Sequence, residues 1–186
     1  MSGRTLAILS LIIGMAMTVK PASADDLPRQ GQAEVFYSVD AEQVAAILKK
    51  GGFKTKILKN KVKPDEKPTW TINAESKEPF YMSADLRACN ADNYPRGCLG
   101  IRLYASMDIE KSSQSAARRT VEAYNRDYYI GKAYISEDGK HLIFENYLMV
   151  EGGVTARNLE ENLGNFLTGF NGVYDLFEEN QKAVEA

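Results

Sequence analysis

Histidine occurs once in the 186 residues, tryptophan once, cysteine twice and proline six times, and there is no excess of basic charge. Each shortage excludes something. A Ser-His-Asp triad or a histidine acid–base site would have to use His141, because no second imidazole exists to hold or relay a proton. His141 follows an Asp-Gly turn at the start of an alternating stretch, a position that faces solvent. Zinc sites built from Cys and His need more such ligands than the chain has. Cys89 and Cys98 are also spaced too widely for a C-x-x-C pair. No D-x-[DN]-x-[DN]-G loop is present for calcium. Gly152-Gly153 lacks the Lys-Ser/Thr context of a phosphate loop. Glu160-Glu161 and Glu178-Glu179 are adjacent pairs, which diverge around a helix instead of converging as a glycosidase pair does. The residues therefore assign no catalytic group, metal or cofactor, and the expected protein is not an enzyme. An envelope enzyme using only carboxylates and tyrosines is the competing reading.

The N-terminus is the clearest positive signal. Arg4 precedes an apolar stretch from Thr5 to Val19, then Lys20, then Pro21-Ala22-Ser23-Ala24 before Asp25-Asp26. A charged start, a short greasy run and small-x-small before acid is what a translocon and signal peptidase read. The run is shorter than the about 20 apolar residues of a spanning helix. The expectation is cleavage between Ala24 and Asp25, a periplasmic or secreted protein, and no transmembrane segment afterwards. Removal of residues 1–24 takes two bases and no acid, so 23 bases and 25 acids become 21 and 25, a net charge of −4. That charge argues against nucleic acid as a partner. The remaining 162 residues suffice for one domain burying about 70% of its unfolded surface. In an oxidising compartment Cys89 and Cys98, flanking a polar turn, read as a disulfide clamping a hairpin loop. The chain-entropy estimate for such a loop is about 2–3 kcal/mol.

Periodicity supplies the elements. Residues 25–37 are polar with Pro and Gly and read as a flexible leader, followed by a domain over 38–181 and a tail over 182–186. Asp40 and Gln43 form a capping box, with Val39 and Val44 as a staple, for a helix ended by Gly51-Gly52. Four strand-like stretches follow. Phe53, Thr55 and Ile57 form the apolar side of the first, and Trp70, Ile72 and Ala74 that of the second. Phe80, Met82, Ala84 and Leu86 line the third, and Leu99, Ile101, Leu103 and Ala105 the fourth. Period two with one polar side predicts an antiparallel sheet covered on one face.

A second helix is expected from Ser112 to Tyr128, with Ala117, Val121, Tyr124 and Tyr128 on one face. Asp138-Gly139 predicts a hairpin between strands over Lys132–Ser136 and His141–Val150. The last helix starts at Thr155. Its stripe of Leu159, Leu163, Phe166, Phe170, Val173 and Phe177 is interrupted by Gly164, Gly169 and Gly172, each costing about 1 kcal/mol relative to alanine. This helix must be held by packing, with a bend near Gly169. Its stripe suits cover for the sheet, and a homodimer can use it as well. The order α-β-β-β-β-α-β-β-α is an α+β domain, helices on an antiparallel sheet.

With these elements placed, the C-terminal two thirds resembles the YbjN-domain family of proposed bacterial sensory transduction regulators. The residues that carry the likeness are Leu103-Tyr104-Ala105 with Asp108, then Ala123-Tyr124-Asn125-Arg126 and Gly131-Lys132-Ala133-Tyr134-Ile135. Glu137-Asp138-Gly139, Gly152-Gly153-Val154-Thr155, Asn162 and Leu163 complete them. The likeness spans about residues 40–178. It implies a fold similar to type III secretion chaperones, an α+β scaffold that often dimerises and binds polypeptide. It supplies no catalytic residue.

Two surface features are candidates for partner binding. Eight lysines (49, 50, 54, 56, 59, 61, 63 and 67) crowd one stretch. Lysines at a sheet edge discourage strand pairing. The functional alternative is that Lys54, Lys56, Lys59, Lys61 and Lys63 dock an acidic protein or an anionic envelope surface. Tyr124, Tyr128, Tyr129, Tyr134 and Tyr147 fall around the second helix and final hairpin. They read as a core and its rim, with Tyr124 and Asn125 as the contacts offered there to a partner. The resulting expectation is a non-enzymatic, chaperone-like or regulatory envelope module that binds an unidentified protein. A stress-related or structural protein held to anionic surface by its lysines is the alternative.

Overall fold

The computed structural model describes residues 34–60, 69–75, 81–89 and 97–185. The expected signal peptide and its cleavage point, Lys61, Lys63, Phe80 and most of the leader lie outside the described residues. The leader's end does not: Val35–Phe36 form β1 and pair with β8, Val154–Thr155. Backbone pairing orders these two residues where composition alone suggested a loose segment, so the fold starts before residue 38.

Asp40 caps α1 (Ala41–Lys50) as expected. Its carboxylate accepts from Gln43 N at 2.8 Å, and Gln43 Oε1 accepts from Asp40 N at 2.9 Å. Two amides that a helix start leaves without partners are thereby satisfied. The strands β2 (Lys54–Lys59), β3 (Trp70–Glu75), β4 (Tyr81–Cys89) and β5 (Cys98–Asp108) come next. A 3-10 turn (Lys111–Ser113) leads into α2 (Gln114–Asp127), followed by β6 (Lys132–Ile135), β7 (His141–Met149), β8 and α3 (Ala156–Glu185). The six longer strands form one antiparallel sheet in the order β2-β3-β4-β5-β7-β6.

All three helices pack on one face of that sheet. Val44 and Leu48 of α1, Leu159 and Leu163 of α3, and Ile101, Leu103 and Leu148 of the sheet line one small apolar cavity. Tyr124 of α2 and Phe166 of α3 both pack on Phe144 of β7. The inward residues Ile72, Ala74, Met82, Ala84, Leu86, Ile101, Leu103 and Ala105 are buried, as their alternation predicts. Each large apolar side chain so removed from water contributes about 1.5–3 kcal/mol. No helix among the described residues is long and apolar enough to cross a membrane.

Three details differ from the sequence reading. Ile57 is 38% exposed, because β2 is an edge strand that, among the described residues, is covered chiefly by α1. In α2 the buried side is Ala116, Ala117, Thr120 and Tyr124. Tyr128 has left the helix with extended backbone and stacks its ring on Tyr124, 4.8 Å between centroids. The third concerns α3, which is one continuous helix in which Gly169 is a packing residue. A Cβ there would lie 2.7 Å from Phe144 Cζ and 2.9 Å from the Tyr124 hydroxyl. Thr155 caps α3 by accepting from Asn158 N at 3.1 Å, and the predicted stripe from Leu159 to Phe177 is buried throughout. At the β6–β7 turn Gly139 takes φ +72°, the left-handed conformation that made Asp-Gly a hairpin signal.

Candidate functional site

The other face of the sheet carries no helix among the described residues, and alternation places its polar side chains there. Strand register sets them in rows. One row is Thr71, Asp85, Arg102 and Tyr147; the next is Asn73, Ser83, Tyr104, Glu145 and Lys132; a third is Tyr81, Ser106 and Tyr134, with the buried, apolar Ile143 between the last two.

Arg102 organises the centre. Its Nε and Nη2 donate to Glu145 Oε2 at 2.8 and 2.5 Å, and Nη2 also donates to the Tyr134 hydroxyl at 3.0 Å. Tyr134 donates in turn to Glu145 Oε2 at 3.0 Å. Asp85 lies 3.6 Å from Nη1 and accepts from Thr71 Oγ1 at 2.7 Å, while the guanidinium sits 5.2 Å from the Tyr104 ring centroid. Lys132 Nζ lies 5.4 Å from the Tyr134 ring centroid. Arg102 is thus held by two carboxylates, a phenol and an aromatic face, which fixes its plane.

Burial by itself would raise the pKa of Glu145. The hydrogen bonds from Arg102 and Tyr134, with the charges of Arg102 and Lys132, outweigh it and hold the carboxyl below its ordinary 4.5. A carboxylate depressed in the folded state stabilises the fold above its unfolded pKa, and the contribution disappears as pH falls through the folded value. Wild type is therefore expected to exceed Glu145→Gln in melting temperature at pH 7, with the gap closing as pH drops below about 4.5. A gap that stays constant down to pH 3 would contradict this account.

Around the network lie exposed apolar groups: Tyr81 (47%), Tyr147 (50%) and Met149 (64%). Tyr147 crosses Gly100, whose missing side chain makes room for the ring. A cleft of about 380 Å³ runs between Arg102, Gly131, Lys132, Glu145, Asn146 and Tyr147. Among the described residues no three His, Cys, Asp or Glu side chains converge as metal ligands. What the arrangement offers chemically is a rigid amphipathic surface with a fixed cation–carboxylate centre.

A family described as "Putative bacterial sensory transduction regulator", YbjN, matches residues 77–179, from just before β4 to near the end of α3. The chain belongs to the YbjN family. The match contains the whole Arg102, Tyr134 and Glu145 network, whereas α1, β2 and β3 precede it. Among solved structures, this YbjN protein is similar to an uncharacterized protein from Methanothermobacter thermautotrophicus. The identity is 14%, covering 74% of this chain and 96% of that one, with a TM-score of 0.47. No curated protein matches.

The residues singled out from the sequence have different fates in the YbjN domain. Cys89 and Cys98 are bonded across the ends of β4 and β5. Lys54, Lys56 and Lys59 are exposed on β2. Tyr124 is 1% exposed, with its hydroxyl donating to Ile130 O at 2.8 Å, so it belongs to the core and offers a partner nothing. Burial, then the neighbouring Tyr128, raises its pKa. Asn125 is occupied by Ala133, accepting from its N at 3.0 Å and donating to its O at 2.8 Å. The likeness singled out both residues, and tertiary packing explains them as structure. His141 Nδ1 lies 2.8 Å from Asp108 Oδ1 at the sheet's end, on a partly exposed surface. Glu160 and Glu161 diverge as expected, one toward Lys50 and the other toward Arg157. Arg102 and Glu145 were not singled out from the sequence, and Tyr134 was named there without these two partners. Arg102 alternates with the apolar residues of its strand, but nothing local showed that β5 pairs with β7 across the intervening helix.

Proposed function

We propose that this YbjN-family chain is an exported, non-enzymatic regulatory module of the cell envelope that acts by binding another protein on the bare face of its sheet. The observation that carries the reading is the combination on that face of exposed Tyr81, Tyr147 and Met149 with a prefixed Arg102–Glu145 centre. Tyrosine, methionine and arginine are the residues enriched where proteins meet. Side chains already locked by their own hydrogen bonds lose less freedom on association than free ones. Export rests on the Arg4-to-Ala24 pattern, and the regulatory role on membership of the family.

The test is affinity capture from envelope extract with the oxidised full-length chain as bait. Wild type and a control, Arg157→Ala/Glu161→Ala on α3, are expected to retain the same partner. Tyr147→Glu/Met149→Glu is expected to lose it. Retention of that partner by the sheet-face variant would remove the proposed surface, and retention of none by wild type would remove the binding role.

A further inference from the structure

The two edges of the sheet are built differently. On β6, Ala133 turns its N–H and C=O away from β7, and the Asn125 amide satisfies both. At Ala133 that edge is closed from within.

At β2 the opposite holds. The bond from Asn60 N to Thr69 O, 2.9 Å, fixes the phase of the β2–β3 ladder. Lys54, Lys56, Leu58 and Asn60 bond inward, so Thr55, Ile57 and Lys59 aim their N–H and C=O groups outward. Among the described residues none of these groups has a partner. An open ladder of this kind is a template for another strand.

Charge selects which strand. Lys54 and Lys56 lie on the bare face of the sheet, and Lys59 on the other side with Thr55 and half-exposed Ile57. None of the three lysines makes an ion pair among the described residues. Glu75, opposite Lys54, is the acid beside them in the register. A second copy of β2 would bring three more lysines to the same edge. A segment with carboxylates on one side would not.

We propose that β2 is a docking edge for an extended acidic segment of a partner protein, which adds as a strand along Thr55, Ile57 and Lys59 with its carboxylates toward Lys54 and Lys56. Main-chain bonds supply affinity and the lysines supply selection. The inference rests on the protein-binding reading above but uses a different surface.

Fluorescence anisotropy of the full chain with a short labelled peptide alternating glutamate and valine tests it. The acidic peptide is expected to bind, and a lysine–valine counterpart is not. Of two copies N-methylated on either alternate set of residues, one is expected to bind at least about tenfold more weakly, since it forfeits bonds to the edge. Ile57→Pro deletes one outward N–H without altering charge, at a position where an edge strand accepts proline, and is expected to weaken binding similarly. Lys54→Glu/Lys56→Glu should reverse the preference between the two peptides.

Should Ile57→Pro not fold, the methylated peptides ask the same question of unaltered protein. Equal binding of the parent and both methylated copies would leave charge attraction alone and overturn strand addition. Absence of peptide binding, or binding of phosphatidylglycerol vesicles only, would overturn the proposal outright. Tyr147→Glu/Met149→Glu is expected to leave peptide binding unchanged, so failure of this edge and failure of the sheet-face reading are separately visible.

Discussion

Replacing Phe144 by alanine is expected to lower the free energy of unfolding by about 3–5 kcal/mol, read as a shift of the urea midpoint at unchanged slope. Phe144 is fully buried, with Tyr124 edge-on at 5.4 Å and Phe166 stacked at 5.2 Å between centroids. Gly131 and Gly169 press against the same ring. One side chain therefore joins β7, α2, α3 and the turn after α2. Its truncation leaves a cavity that four separate pieces of backbone would have to collapse to fill. The companion measurement uses Gly169→Ala. In wild type the new Cβ would sit 2.7 Å from Phe144 Cζ, so overpacking outweighs the gain in helix propensity. In Phe144→Ala that contact is gone and the penalty should shrink. Additive effects of the two changes would contradict this picture of the core.

Cys89→Ser/Cys98→Ser is expected to cost about 2–3 kcal/mol at 25 °C by the chain-entropy argument. The bond closes a loop between residues nine apart, tying the end of β4 to the start of β5. Beyond the loop itself, Cys98 exchanges both backbone bonds with Val39, N to O at 2.7 Å and O from N at 3.0 Å. The same cysteine thus positions the residue in front of the Asp40 cap of α1. Loss of the bridge should therefore raise hydrogen exchange at Val39 as well as lower the urea midpoint. Identical midpoints for oxidised and reduced protein would show that strand pairing alone holds this corner.

The YbjN chain was legible in proportion to how local each signal is. The capping box at Asp40 and Gln43, the Asp138-Gly139 turn and the stripe from Leu159 to Phe177 appear in the structure where sequence spacing put them. All three depend on residues within a turn or two of one another. Ile57 shows the limit. Its alternation with Lys54 and Lys56 identified a strand and a side, but the edge position left that side only partly covered.

By itself the sequence determined the element types, the one-sided antiparallel sheet and which faces are apolar, because side-chain period and cap chemistry are properties of neighbouring residues. Tertiary structure alone decided that β5 lies beside β7, which brings Arg102 to Glu145 across 43 residues. It also turned Tyr124 and Asn125 from surface candidates into core and edge seal, and, among the described residues, left β2 open where β6 is closed at Ala133. The physical reason is that backbone hydrogen bonds are the same for any strand pair. Which strands meet, and which edge remains, is therefore settled by how the helices cover the sheet as a whole.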